Sequence, residues 1–249
     1  MGRGSSKASG GSGGSASNIP TNAVMLTDSD ADNLRQQQDS MYDPNTTAAI
    51  KMYISNTNFD GQNHSLSQTM NYLLDNGVDL SNADVNAINK QFGLRLSAND
   101  IASMQYTDAM MSVAMHNIGK SVQLQRGAHD DMLRNTFGIS DYTTMSDAQL
   151  KNALVGKTFA TTSHMSTSYD VAKNPFLNPN SPVSGGREVI YNIKAGSNTK
   201  MLFGAKAQSE IVLNKGTAFK ITDVKYTGKT AYPAGGRSKP QIVIDIETY

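Results

Sequence analysis

Gln208-Ser209-Glu210-Ile211-Val212-Leu213, followed by Asn214-Lys215-Gly216, is the stretch from which the rest of the chain is read. Its apolar run has strand composition, and Asn-Lys-Gly closes it as a turn. Two polar side chains, Gln208 and Glu210, enter that run two residues apart. On an extended chain such positions share a face. The expectation is an amide beside a carboxylate at the mouth of a strand, a geometry that serves chemistry better than packing.

Around this stretch the pattern has period two. Val122 to Arg126 alternates as a strand and ends at Gly127, and strand-like segments follow around Thr158-Phe159, Met165 to Ser168, Glu188 to Lys194, Lys200 to Phe203, Ala218 to Val224 and Gln241 to Glu247. Short helices fall between, one at Met132-Leu133 and one behind Ser146. The irregular stretch Ala172 to Gly186 contains three prolines, and a loop of that length in a compact unit is either functional or disordered.

Before Gly119 the period is helical. Pro44 precedes Ile50, Tyr53 and Ile54 on one face. Ser65-x-x-Gln68, Ser81-x-x-Asp84 and Ser97-x-x-Asp100 read as three helix starts, since a serine hydroxyl and an acid or amide three residues on satisfy each other's free N–H groups. The last of these opens a helix expected to carry Ile101, Met104, Met111, Met115 and Ile118 along one side as far as Gly119. Helices first and strands after define an α+β chain. Residues 1–20, rich in Gly and Ser, are expected to be a flexible tail, with a helical lobe over 21–120 and a β core over 121–249.

Composition narrows the chemistry. A net charge of +1 in 249 residues gives no field to attract nucleic acid or membrane. The chain has no cysteine, which excludes disulfides and thiol catalysis, and its four histidines are too scattered for a metal site. No apolar run approaches the roughly 20 residues that span a bilayer. The basic N-terminus has no apolar core behind it, so a signal peptide is not expected and any export would need another route.

Three polar clusters fall at predicted strand ends: Arg126-Gly127, Ser166-Thr167-Ser168 and Gln208-x-Glu210. Each is common by chance; their order and strand contexts carry the signal. Together they resemble the mono-ADP-ribosyltransferase exoenzymes, in the branch that includes Rho-modifying clostridial exoenzymes and phage-borne transferase domains. Ala207 to Ile221 is the closest stretch, and Gly186-Arg187-Glu188 matches the place of a second arginine. His164 stands where that family usually has an aromatic residue, two positions before Ser166.

The resemblance implies a helical lobe packed on a two-sheet mixed β core, NAD+ as substrate and no metal. Arg126 would hold the pyrophosphate through paired charged hydrogen bonds, with Arg187 as a second clamp or simply the lead into a strand. Gly127 would let backbone approach the nicotinamide, and Ser166, Thr167 and Ser168 would line the nicotinamide ribose. Thr161-Thr162-Ser163 is a competing triplet, so Ser163 stands as an alternative to Ser166. Phe176 in the long loop would stack on nicotinamide or anchor the loop. Phe203, at the entry to the Gln-x-Glu turn, would touch substrate or merely pack. Glu210 would stabilise the oxocarbenium as nicotinamide leaves. Gln208 would face the acceptor; an amide there suits a neutral acceptor, an asparagine side chain or a guanine base, rather than arginine.

The partner so implied is a macromolecular acceptor, a host protein ahead of nucleic acid, with the enzyme delivered into a target cell. Two other readings stand beside it. One is a phage-particle or secretion-apparatus protein that carries this fold; the other is an NAD glycohydrolase that transfers to water.

Overall fold

The structure is a computed structural model that describes residues 23–55, 59, 64–173, 187–231 and 238–249. The expected tail and Phe176 lie outside the described residues. Five helices come first: α1 (Asp28–Asp39), α2 (Pro44–Ile54), α3 (Leu66–Asp75), α4 (Val85–Phe92) and α5 (Ala98–Ala114). The hydroxyls of Ser65 and Ser97 cap α3 and α5 in reciprocal pairs with Gln68 and Asp100, and Thr27 caps α1 with Asp30.

Two sequence expectations shift here. Ser81 belongs to a 3₁₀ turn, Leu80–Asn82, and Asp84 is itself the cap of α4, accepting N–H bonds from Asn86 and Ala87. Helix α5 ends at Ala114, short of Gly119. Its chain leaves to bridge the sheet, where His116 exchanges backbone bonds of 3.3 and 3.1 Å with Met201. Methionine spacing cannot reveal that competing partner.

The second half supplies β1 (Val122–Ala128), α6 (Asp131–Phe137), α7 (Asp147–Leu154), β2 (Thr158–Ala160), β3 (Met165–Ser168), β4 (Val189–Ala195), β5 (Met201–Phe203), β6 (Glu210–Leu213), β7 (Ala218–Ala231) and β8 (Lys239–Thr248). Among the described residues the strands form one mixed sheet in the order β2-β7-β8-β4-β1-β3-β6-β5, with β4 and β8 parallel. The α+β class therefore holds. The expected two sheets are two halves of one, joined between β1 and β3 by the single register pair Gln125↔Ser168.

Alternation along β5 and β6 divides their side chains between two cores. Met201, Phe203, Ile211 and Leu213 join the cluster built on the central strands, while Leu202 and Val212 join the cluster of α2 to α5. A strand covered on both faces reads as continuous apolar sequence, which is why Ile211-Val212-Leu213 lacks alternation. Glu210, two residues before Val212, shares its face and looks toward the helical side.

Candidate active site

Strand β3 lies between β1 and β6 and sets the three polar clusters side by side. Ser168 stands opposite Glu210, and Ser166 opposite Val212, so Ser166 and Glu210 are diagonal neighbours on one face. From the other side, Arg126 Nη1 donates to the Ser166 carbonyl at 2.7 Å. The competing Ser163 sits in the β2–β3 connection and lines a cleft together with Arg126.

These groups converge on a phenol. Tyr53 of α2 is 2 % exposed. Burial pushes its pKa up to about 12, against the Asn71 amide; the Glu210 charge raises it further, while the Ser166 hydroxyl and the Arg126 charge lower it. One buried oxygen thus senses one residue from each of the three predicted clusters. Asn71 Nδ2 donates to that oxygen at 3.0 Å and to the His164 carbonyl at 3.2 Å.

Sequence reasoning missed the role of both residues, reading Tyr53 as one more position on a helical face. The available signal was chemical: a tyrosine on a buried face brings a hydroxyl that needs a partner. His164 is a packing residue, fully buried against Tyr53 at 5.7 Å between ring centroids. Its Nε2 lies 3.2 Å from Asp108, and Nδ1 accepts the Lys215 N–H at 3.3 Å.

Glu210 is half-buried, and its Oε2 accepts the Ala205 N–H at 2.8 Å. That carboxylate lies so close to Gly204 that a Cβ there would meet Oε2 at 2.2 Å. Gln208 departs from the expectation of a shared strand face. It ends the 3₁₀ turn Lys206–Gln208, and Ser209 then takes the left-handed conformation at φ 49° before β6 begins at Glu210. A turn, rather than a continuous pleat, therefore separates Gln208 from Glu210. Gln208 is half-buried, and its side-chain amide makes no hydrogen bond among the described residues.

Thr167 and Ser168 also differ from their expected role as ligand contacts. They are 2 % and 1 % exposed. Thr167 Oγ1 donates to the Ile211 carbonyl at 2.6 Å, and Ser168 Oγ to the Gln208 carbonyl at 3.0 Å. Hydroxyls so committed hold β6 and its turn against β3. Phe203 is buried and packs beneath the guanidinium of Arg35 at 5.4 Å.

A cleft of about 510 Å³ opens beside this centre, lined by Arg126, Gly127, Arg187, Phe159, Thr162 and Tyr191 among others. Its size is that of a small-molecule site. Burial lowers the Arg187 pKa, and the Arg126 charge lowers it further while Glu188 opposes. Two guanidiniums facing one cleft repel until an anion lies between them. Behind Arg187 stands a chain of contacts: Arg187 Nη1 against His129 Nε2, and His129 Nδ1 against the buried Glu188 at 3.0 Å. Among the described residues no group of three or more acidic, histidine or cysteine side chains is arranged to hold a metal. No helix there is long and apolar enough to cross a membrane.

The model of one protein family, ADP-ribosyltransferase exoenzyme, matches residues 64–248. The chain belongs to the ADP-ribosyltransferase exoenzyme family. The enzymatic component C2-I of the C2-toxin from Clostridium botulinum shares the fold of this exoenzyme at a TM-score of 0.55 and 17 % identity, over 88 % of the present chain and 47 % of the toxin component. The chain thus spans about half the length of that relative. It spans nearly all of two others. One is an ADP-ribosyltransferase from C. botulinum, with TM-score 0.56, 17 % identity and coverage of 91 % of this chain and 98 % of that one. The other is C3stau2 from S. aureus solved with NAD, with TM-score 0.55, 18 % identity and coverage of 89 % and 95 %. A search of curated protein sequences finds no match. The reaction class of this exoenzyme is NAD-dependent ADP-ribosylation.

Proposed function

We propose that the enzyme transfers ADP-ribose from NAD+ to a neutral nitrogen on a macromolecular acceptor, an asparagine side chain of a host protein ahead of a guanine base. The observation that carries this reading is that Arg126, Ser166 and Glu210 stand on adjacent strands, Arg126 bonded to the Ser166 carbonyl and Ser166 diagonal to Glu210, next to a turn whose Gln208 amide makes no hydrogen bond among the described residues.

Arg126 and Arg187 hold the pyrophosphate in the cleft, and Gly127 admits the nicotinamide end. Ser166, fixed through its carbonyl by Arg126, positions the ribose beside Glu210. Glu210 accepts a ribose hydroxyl and stabilises the positive charge that develops as the glycosidic C–N bond breaks. The bonding pair leaves on the nicotinamide nitrogen, which becomes neutral. The acceptor nitrogen then supplies the pair for the new bond and gives up a proton. Gln208 offers both a donor and an acceptor to an incoming amide or base edge, where a carboxylate would favour a guanidinium.

Delivery into a target cell is the localisation this reading carries, because relatives named as toxins share the fold. No observation supports a place in a phage particle. The testing experiment is mass spectrometry of mammalian cell lysate treated with the protein and NAD+. A mass increase of ADP-ribose on asparagine supports the proposal; modification of arginine alone overturns the role given to Gln208.

A further inference from the structure

Helix α1 lies before the segment that the family model matches, yet it reaches into the centre of the site. Asp28, Asp32, Arg35 and Gln38, three or four residues apart, form one face of the helix. Gln38 is buried and closes both its ends on β5: Nε2 donates to the Met201 carbonyl at 3.0 Å, and Oε1 accepts the Phe203 N–H at 2.9 Å. Arg35 Nη1 donates to the Gly204 carbonyl. Asp32 accepts from Lys206 Nζ at 2.8 Å. Asp28 accepts from Lys173 Nζ at 2.5 Å and from the Tyr169 hydroxyl at 3.4 Å, at the exit of β3.

The turn these residues grip is poorly suited to hold its own shape. It is one short 3₁₀ turn followed by Ser209, a non-glycine residue in the left-handed region whose buried Oγ has no partner among the described residues. Bonds from Ser168 and Glu210 tie the turn to the strands, and α1 supplies the grip from outside them. Arg35 also keeps Nε and Nη2 buried without hydrogen-bond partners among the described residues, a costly arrangement for a residue that only packs.

We propose that α1 braces the acceptor turn, with Arg35 and Gln38 as positioning residues that aim Gln208 without touching NAD+. The inference rests on the reading of Gln208 as the acceptor-facing residue. Loosening the brace leaves NAD+ cleavage largely in place but misdirects the sugar cation, so transfer yields to hydrolysis.

The test compares the full chain with Arg35→Ala, Arg35→Lys and Lys206→Ala, the last on the exposed side of the turn. Hydrogen exchange is followed over residues 203–210, and label fixed from NAD+ onto mammalian lysate protein is measured against nicotinamide released. In Arg35→Ala, exchange at 203–210 rises about tenfold while β4 and β8 keep wild-type protection. The ratio of transfer to release falls about tenfold, with release in the absence of lysate at least about half that of the wild type. Arg35→Lys, which keeps a donor and a cation, recovers most of the ratio. Unchanged exchange at 203–210, or transfer and release falling in parallel, overturns the proposal. If Arg35→Ala does not fold, Lys206→Ala must show the same shifts at about twofold, or the proposal fails. A wild-type protein that releases nicotinamide but labels nothing removes the acceptor reading and not the brace, which the exchange measurement judges alone.

Discussion

Glu210 and Gly204 occupy each other's space: the carboxylate Oε2 sits where a Gly204 side chain would begin, 2.2 Å from an ideal Cβ. The glycine is therefore required by the Glu210 carboxylate rather than by its own backbone. Gly204→Ala should displace Glu210 by about an ångström and lower nicotinamide release roughly 10²-fold. The backbone conformation at 204 is open to alanine, so circular dichroism should stay near wild type. Full activity in a folded Gly204→Ala would mean that Glu210 is not held in its working position.

The Tyr53 hydroxyl gives a prediction at high pH. Burial raises its pKa to about 12, above the ordinary value of 10.0. A raised pKa contributes stability that is present below pH ~10 and lost as pH climbs through the folded value. Tyr53→Phe should flatten alkaline unfolding between pH ~10 and ~12, with Tyr42, Tyr142 and Tyr191 supplying the slope that remains. At neutral pH the same variant should cost about 1 kcal/mol, because Asn71 and the His164 carbonyl lose a partner. Urea titration across that pH range reads both effects.

Asp108 works at the acid end. Burial would raise its pKa, but hydrogen bonds from His164 and Lys215 outweigh that and hold it below the ordinary carboxylate value of 3.8. A depressed pKa contributes stability present above the unfolded value and lost as pH falls through the lower folded one. The wild type should therefore lose stability below pH ~4, whereas Asp108→Asn should lose less in that window. At pH 7 the variant should be weaker by about 1–2 kcal/mol, because it breaks the pairing of a mostly buried Asp108 with a one-third exposed Lys215 that ties α5 to the β6–β7 turn. Equal acid slopes in the two proteins would contradict the assignment.

Arg187, His129 and Glu188 form a relay that should appear in substrate affinity. Because a guanidinium only donates, His129 Nε2 accepts from Arg187, and its Nδ1–H faces Glu188. His129→Ala frees the clamp from its backing and should raise KM for NAD+ about tenfold, the worth of one charge-assisted hydrogen bond, with kcat moving far less. Steady-state kinetics of nicotinamide release decide this.

What the sequence made legible follows the range of the interactions concerned. The Ser65 and Ser97 caps and the β6 run depend on neighbours within a few residues, and they appear where periodicity places them. The end of α5 at Ala114, the commitment of Thr167 and Ser168 to backbone, and the role of Tyr53 depend on distant partners, 44 residues away for Thr167 and 111 for Tyr53. The shared strand face expected for Gln208 and Glu210 gives way to a left-handed Ser209 between the 3₁₀ turn and β6, and nothing in a serine announces that conformation.

Glu210 is proposed to stabilise the charge formed when NAD+ is cleaved, and nicotinamide release by Glu210→Gln measures that role. That isosteric change keeps an acceptor for the Ala205 N–H and removes only the charge. Release should fall by about 10²–10³-fold, equivalent to roughly 3–4 kcal/mol of barrier, with thermal stability unchanged. A folded Glu210→Gln that releases nicotinamide at the wild-type rate would contradict the mechanism.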